Sequence, residues 1–170
     1  MTTAQYANSS EVQRTLANIF KPWCLDNGFK KLSSKRCTFI KNSARRPDVI
    51  LAFEVQCNSF SGSAHGGLFT LNANAGVINP TYLISPHARV LAYCSQEMAE
   101  KAIQLEQQIV RDHPQLDKPS RPWAPGIDNW CRYYSVEDVE AWGHFLVPCL
   151  PFLLKQLLTQ LALPEDAFFH

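Results

Sequence analysis

Alternation of apolar and polar side chains dominates residues 49–78 and predicts two strands of one sheet. A period of two places every second side chain on the same face, which is typical of a half-buried antiparallel strand. Residues 58–67 between the strands hold three Ser, three Gly, one Ala and one His, a composition that favours a loop. The apolar series predicted to share one face is Leu51, Phe53, Val55, Cys57, Phe69, Leu71, Ala73 and Ala75.

Apolar residues recur at the helical spacing in other parts of the chain. A first helix is predicted to begin at Ser10, with Gln13 completing a capping box, and to stop at Asn27-Gly28. Pro22 should kink or loosen its last turns. Further helices are predicted over 95–112 and from a capping Ser135, followed by a leucine-rich helix over 150–161.

Shorter signals complete the predicted sheet. Residues 29–32 and 37–41 favour a hairpin, 89–94 a short strand, and the aromatic run 130–134 a last strand. Together these elements predict a single α+β domain over 1–170. Its antiparallel sheet should have about four to six strands, covered on one face by the first helix and the C-terminal leucine-rich helices.

Length, composition and cysteine usage predict the number of domains and the cellular compartment. A length of 170 residues and a hydrophobic fraction of 46% suit one domain with an ordinary core. No apolar run reaches the roughly 18 residues that a membrane span needs, and no secretory signal is visible at the N-terminus. We therefore expect a cytoplasmic protein without a membrane partner. Its six cysteines, none of them in a CxxC pair, should be reduced thiols.

The net charge of +1 conceals an uneven distribution. Residues 1–94 carry ten Lys or Arg and four Asp or Glu, whereas residues 95–170 carry six and eleven. Seven of the cations lie in the segment 30–46, which holds no acid. We call this segment the basic hairpin and predict that it binds a partner with an acidic surface. Its cations are Lys30, Lys31, Lys35, Arg36, Lys41, Arg45 and Arg46.

Three other interpretations of the basic hairpin remain open. Its lysines could simply protect a solvated edge strand against pairing. Glu137, Asp138 and Glu140 could neutralise it from within the domain. The hairpin could also bind nucleic acid phosphates, with Trp23, Phe29 and Phe39 nearby for contacts to bases.

Polar residues on the two central strands form a second candidate surface. They should share the face opposite the apolar series, where they form either a binding surface or the solvent side of a sheet covered on one face only. An enzyme site on this face is a third functional alternative, although no acid, base or nucleophile is placed there by spacing. The residues are Glu54, Gln56, Thr70, Asn72 and Asn74.

Motifs for catalysis and metal binding are weak. His65 lies in a glycine-rich loop that matches neither a phosphate-binding loop nor a nucleophile elbow. The five histidines do not pair at zinc-ligand spacing, and Glu140 with His144 is typical of a solvated helix pair. We therefore predict no catalytic residue, no metal and no cofactor.

Several short motifs in the first half resemble a known family. They are Phe20-Lys21-Pro22, Gly28-Phe29-Lys30-Lys31, Thr38-Phe39, Val55-Gln56 and Phe69-Thr70-Leu71-Asn72. Over roughly residues 15–78 they resemble the uncharacterised bacterial domain of unknown function numbered 4304. The resemblance implies an α+β domain with an antiparallel sheet and brings no activity with it. Small bacterial proteins of this type include toxin-neutralising immunity proteins, which is the concrete form of the protein-binding function that we expect.

Overall fold

The computed structural model describes residues 4–45, 48–58, 65–79, 82–83, 88–116, 121–163 and 168–169, with the backbone alone at 77–79 and 82–83. The helices are α1 (Ser9–Asp26), α2 (Gln96–Asp112), α3 (Val136–Leu146) and α4 (Leu150–Gln160). Short 3₁₀ turns occupy Val90–Tyr93 and Val147–Cys149. The strands are β1 (Lys30–Lys31), β2 (Thr38–Asn42), β3 (Val49–Cys57), β4 (Gly67–Asn79), β5 (Tyr82–Leu83), β6 (Ala88–Arg89) and β7 (Cys131–Tyr133).

The sheet is built around the antiparallel pair β3–β4. Their register runs from Val49 opposite Val77 to Cys57 opposite Phe69, as the alternation in 49–78 predicts. β2 pairs with the other edge of β3, and β1 pairs with β2. The far edge of β4 is lined in turn by the short strands β7, β6 and β5. All of these pairings are antiparallel, so the predicted sheet type is confirmed.

The predicted apolar face of β3 and β4 forms the core. Leu51, Phe53, Leu71 and their face neighbours belong to one buried cluster that also contains the leucines of α4. α1 packs on this face, where the Phe20 and Phe53 rings meet edge to face at 6.2 Å between centroids. The α+β fold with helical cover is therefore confirmed. The apolar stripe of the first helix also predicts Trp23 to be buried together with Phe53 and Leu71. Trp23 is only partly buried and lies against Phe29.

The first helix starts earlier than predicted. Asn8, not Ser10, is the N-cap: its side chain accepts from the Glu11 backbone N–H, and the Glu11 carboxylate accepts from the Asn8 N–H. Asn8 and Glu11 thereby satisfy two backbone N–H donors at the start of the helix. The Gln13 side chain makes its hydrogen bonds in the interior of the protein instead. The helix continues through Pro22 and ends as predicted at Asn27, before Gly28 with φ +79°.

Two further predictions have opposite outcomes. Residues 89–94 are a strand only at their start, because a 3₁₀ turn takes over at Val90 and buries Val90 and Leu91 in the core. Ser135 does cap α3, and Asp138 completes its capping box. The same Asp138 carboxylate lies 2.9 Å from His113 Nε2 at the end of α2. This buried pair joins α2 to the start of α3.

The C-terminal helices are apolar enough to meet a composition test for a membrane span. The stretch Val136–Gln160 passes this test by length and hydropathy alone. Helices in the core of a soluble protein pass the same test. Here Leu150, Leu153, Leu154, Leu157 and Leu158 are buried in the core that α1 and the sheet share.

Phe53 provides a test of the packed face. We expect Phe53→Ala to lower the free energy of unfolding by about 3–5 kcal/mol, since it removes a ring that contacts three other aromatic rings. Urea denaturation followed by circular dichroism measures the change. Phe152→Ala is the matched control, because Phe152 is 39% exposed and its removal should cost less. Equal losses in the two variants would contradict the assignment of the core face.

Candidate functional site

Five of the seven cations of the basic hairpin are exposed, and four of these lie on β1 and in the turn before β2. Lys30 and Lys31 are exposed on β1, and Lys35 and Arg36 are exposed in the turn that leads to β2. In the described part of the chain none of these four side chains has an ion pair. Leu32 lies among them and is 63% exposed. The surface therefore combines an exposed apolar side chain with a rim of unneutralised positive charge.

Two sets of hydrogen bonds hold the hairpin in place. The buried Gln13 side chain accepts from the Cys37 backbone N–H at 2.7 Å and donates to the Val55 carbonyl at 3.0 Å. It thereby ties the hairpin and β3 to α1. In the turn, the Ser33 hydroxyl accepts from the backbone N–H groups of Lys35 and Arg36, both at 3.2 Å. A loop fixed in this way loses less conformational entropy when it binds.

The remaining predicted hairpin residues have other surroundings. Lys41 Nζ donates to the Phe168 carbonyl and lies 5.3 Å from the centre of the Phe169 ring. Burial lowers the pKa of Lys41. The bond to the Phe168 carbonyl directs this half-buried side chain towards residues 168–169. Arg45 is exposed and has an interaction with its surroundings. Arg46 lies outside the described residues.

The three acids proposed to neutralise the basic hairpin from within the domain make no hydrogen bond or ion pair with it among the described residues. Asp138 accepts from the backbone N–H groups of Tyr134 and Ser135, both at 2.9 Å, in addition to its contact with His113. Glu137 and Glu140 are exposed on α3. No ion pair joins either of them to the hairpin among the residues that the structure describes.

The aromatic residues proposed for nucleic acid contacts are not available. Phe29 and Phe39 are buried in the core, where both rings pack against Phe53. Trp23 is partly buried against Phe29. Stacking on bases requires an open ring face, so only phosphate contacts from the cations would remain.

The predicted polar face of the sheet contains a network centred on an arginine that the sequence patterns did not indicate. Arg89 Nη1 donates to Gln56 Oε1 at 2.6 Å and to Asn72 Oδ1 at 3.0 Å. Asn72 Nδ2 donates to the same Gln56 oxygen at 2.6 Å. The register accounts for this proximity, because Asn72 lies opposite Glu54 on β3 and opposite Arg89 on β6.

The other predicted residues of this face divide between two environments. Thr70 is buried and donates from its hydroxyl to the Asn129 carbonyl at 2.8 Å. Glu54 and Asn74 are half-buried. Glu54 has no hydrogen bond or ion pair within the described residues, whereas Asn74 has an interaction. The face is thus partly packed and partly open, and the bonds among Arg89, Asn72 and Gln56 join the three strands β6, β4 and β3.

Asn129 fixes the loop that borders this face. Its buried amide donates to the carbonyls of Leu91 and Ala124, and its oxygen accepts from the Ala124 N–H. The neighbours Asp128 and Trp130 are held beside Arg89: one Asp128 oxygen lies 3.8 Å from Arg89 Nε, and the Trp130 ring centre lies 5.2 Å from the guanidinium carbon. Sequence reasoning missed Arg89, Asn129 and Gln13 because nothing local marks them.

The six cysteines are free thiols, and burial raises the pKa of each one. For Cys24 the pKa rises to about 12. A nucleophilic cysteine needs a lowered pKa, since the thiolate is the reactive form. None of these thiols meets that condition. The described residues also contain no group of three or more His, Cys, Asp or Glu that could hold a metal ion.

Comparison with protein-family models, with curated proteins and with solved structures found no match to this chain. The resemblance to the domain of unknown function numbered 4304 remains a prediction from the motifs.

Gln13 provides a test of how the hairpin is held. We expect Gln13→Ala to destabilise the protein by about 1–3 kcal/mol, because the Cys37 N–H and the Val55 carbonyl lose a partner in a buried place. Amide hydrogen exchange at Cys37 should accelerate in the same variant. Arg14→Ala, at the exposed neighbouring position, is the control. Unchanged exchange at Cys37 in Gln13→Ala would show that this side chain does not anchor the hairpin.

The thiols give a pH-dependent prediction. Because their pKa values are raised, less thiolate is present at pH 8 than in free cysteine, and iodoacetamide should label the native protein more slowly than glutathione. The labelling rate should keep rising above pH 9, first at the half-buried Cys57 and Cys149. Peptide mass spectrometry identifies the labelled residue, and non-reducing denaturation should release six free thiols. A cysteine labelled faster than glutathione, or an intramolecular disulfide, would contradict this.

Proposed function

We propose that this chain is a cytoplasmic protein-binding module whose basic hairpin docks on an acidic surface of another protein. In its concrete form the module neutralises a toxin. The proposal is supported by one observation above all. Leu32 projects into solvent among Lys30, Lys31, Lys35 and Arg36, in a turn whose backbone is already fixed by Ser33.

The chemistry of this surface suits a protein partner. Interfaces commonly have an apolar centre and a polar or charged rim, and a few central residues carry most of the binding energy. Leu32 offers such a centre, and the surrounding cations would accelerate association with an acidic patch. The two contributions separate experimentally, because rim charges act on the association rate and a buried apolar anchor acts on dissociation.

Nucleic acid is the second candidate, because four clustered cations could also contact phosphates. Burial of Phe29 and Phe39 removes the rings that would stack on bases, and the exposed Leu32 has no function in phosphate binding. The protein-binding proposal is therefore the better supported one.

The test compares two double charge reversals. Lys35→Glu with Arg36→Glu alters the hairpin, and Arg111→Glu with Arg121→Glu makes the same change in net charge at exposed positions elsewhere. Tagged wild type and both variants are used to capture partners from nuclease-treated lysate of the source cells. We expect one protein to be retained by wild type and by the control, and lost by the hairpin variant. Thermal melts should agree within about 0.5 kcal/mol, as for most surface changes.

Stopped-flow kinetics with the captured protein complete the test. The hairpin reversal should slow association, and the difference from wild type should shrink at high salt because the charges are screened. Leu32→Ala should instead accelerate dissociation at either salt concentration. Equal association rates for both double variants would refute the hairpin as the binding surface. Capture that disappears with nuclease, together with gel shifts that weaken steeply with salt, would favour nucleic acid instead.

For the toxin-neutralising form, the measurement is survival. Cells that express a toxin gene neighbouring this one should grow when wild type is co-expressed and should not grow with the hairpin variant. Growth that does not depend on the hairpin would separate the immunity function from this surface.

A further inference from the structure

Arg89 has hydrogen-bonding capacity that the described residues leave unused. Its Nη1 donates to Gln56 and Asn72, but its Nε and Nη2 have no acceptor within hydrogen-bonding distance among the described residues. The Asp128 oxygen at 3.8 Å is too distant to accept a hydrogen bond. The Nε–Nη2 edge of a guanidinium is the fork that matches two oxygens of one carboxylate. The Arg89 side chain is 27% exposed, so solvent reaches it.

Gln56 and Asn72 hold the Arg89 guanidinium on the side opposite its Nε–Nη2 edge, because both accept from Nη1. Gln56 Oε1 accepts from both Arg89 and Asn72, which fixes the orientation of the amide. The Gln56 NH₂ group has no acceptor in the described part of the chain. The buried Asn72 bonds to both Arg89 and Gln56, so the guanidinium is positioned before any ligand arrives. An anion at the Nε–Nη2 edge would meet the preformed N–H groups of Arg89.

The loop held by Asn129 supplies an apolar wall. The half-buried Trp130 ring covers one face of the Arg89 guanidinium and leaves the edges of that group free. The same loop presents Asp128, and Glu54 lies two strands away in the cross-strand row Glu54–Asn72–Arg89. Two carboxylates near one arginine limit the negative charge that a ligand can bring. A singly charged carboxylate therefore suits the site better than a phosphate dianion.

We propose that Arg89 and Trp130 form a binding site for a carboxylate attached to a flat apolar group, with Gln56 and Asn72 holding the guanidinium in position. The carboxylate takes the Nε–Nη2 edge of Arg89, and the apolar group lies along Trp130. This site is on the polar sheet face, on β3, β6 and the loop before β7, and it does not depend on the basic hairpin. In the free protein Asp128 partly compensates the charge of Arg89 and competes with the ligand.

The experiment uses the full chain with sodium benzoate as the probe and inorganic phosphate as the comparison, at constant ionic strength. Side-chain ¹H–¹⁵N spectra follow Arg89 Nε–H, the Gln56 NH₂ group and Trp130 Nε1–H. We expect saturable shifts confined to these groups, with tighter binding of benzoate than of phosphate. Arg121→Lys, at an exposed arginine elsewhere, should bind like wild type.

One variant should raise the affinity for benzoate, and two should lower it. Asp128→Asn removes the competing charge at a side chain that is 61% exposed and should tighten binding by about threefold. Gln56→Glu keeps the oxygen that Arg89 and Asn72 use but adds a negative charge beside the guanidinium that competes with the ligand, so it should weaken binding by about tenfold or more. Arg89→Lys keeps the charge without the fork and should also weaken it.

The proposal fails if wild type shows no saturable shift with benzoate or if phosphate binds more tightly. It also fails if Gln56→Glu binds as well as wild type. Thermal melts identify a substitution that unfolds the protein. Asp128→Asn changes only an exposed side chain and should fold. Its effect on benzoate binding therefore tests the proposed site even if the other variants do not fold. Unchanged or weaker binding in Asp128→Asn would overturn the site.

Discussion

Register between β3 and β4 is the constraint on which both surfaces of this protein depend. Nine residues of β3 pair without interruption, and the alternation places Phe53 and Leu71 against the helices and Gln56 and Asn72 on the opposite face. A slip of one residue would exchange the two faces and move Phe53 and Leu71 out of the core. The same pairing therefore produces the hydrophobic core and the candidate carboxylate site.

Buried side-chain amides position both candidate binding surfaces. Gln13 satisfies a backbone donor of the hairpin and a backbone acceptor of β3. The backbone that carries the exposed cations is therefore held in place. Asn129 satisfies backbone groups on both sides of its loop and thereby holds Trp130 beside Arg89. Backbone groups outside helices and strands must find partners when they are buried. Here the residues that supply those partners also order the surfaces that face solvent.

The uneven charge of the chain is explained in part by these contacts. Asp138 is used at the start of α3 and by His113, and Glu97 pairs with Lys101 on α2. Lys30, Lys31, Lys35 and Arg36 are exposed in the hairpin and have no corresponding acid in the described residues. Charge that is not neutralised within the fold creates a field that steers an acidic partner. At Arg89 the field is weaker, since Asp128 and Glu54 lie nearby, which is why the two surfaces suit different ligands.

The sequence alone determined the elements whose signals are local and repeated. Alternation over 49–57 and 69–75, the stripe of α2 and the Ser135 cap all predicted what the structure contains, because each depends on residues within a few positions of one another. The start of α1 was misplaced because two capping patterns overlap there, and Val90 left the predicted strand because burial in the core outweighed local preference. Tertiary structure alone decided that Arg89 would reach Gln56, that Gln13 would anchor Cys37 and that Lys41 would donate to the Phe168 carbonyl. These contacts join residues from 24 to 127 positions apart, and only the register of the sheet and the packing of its helices bring them together.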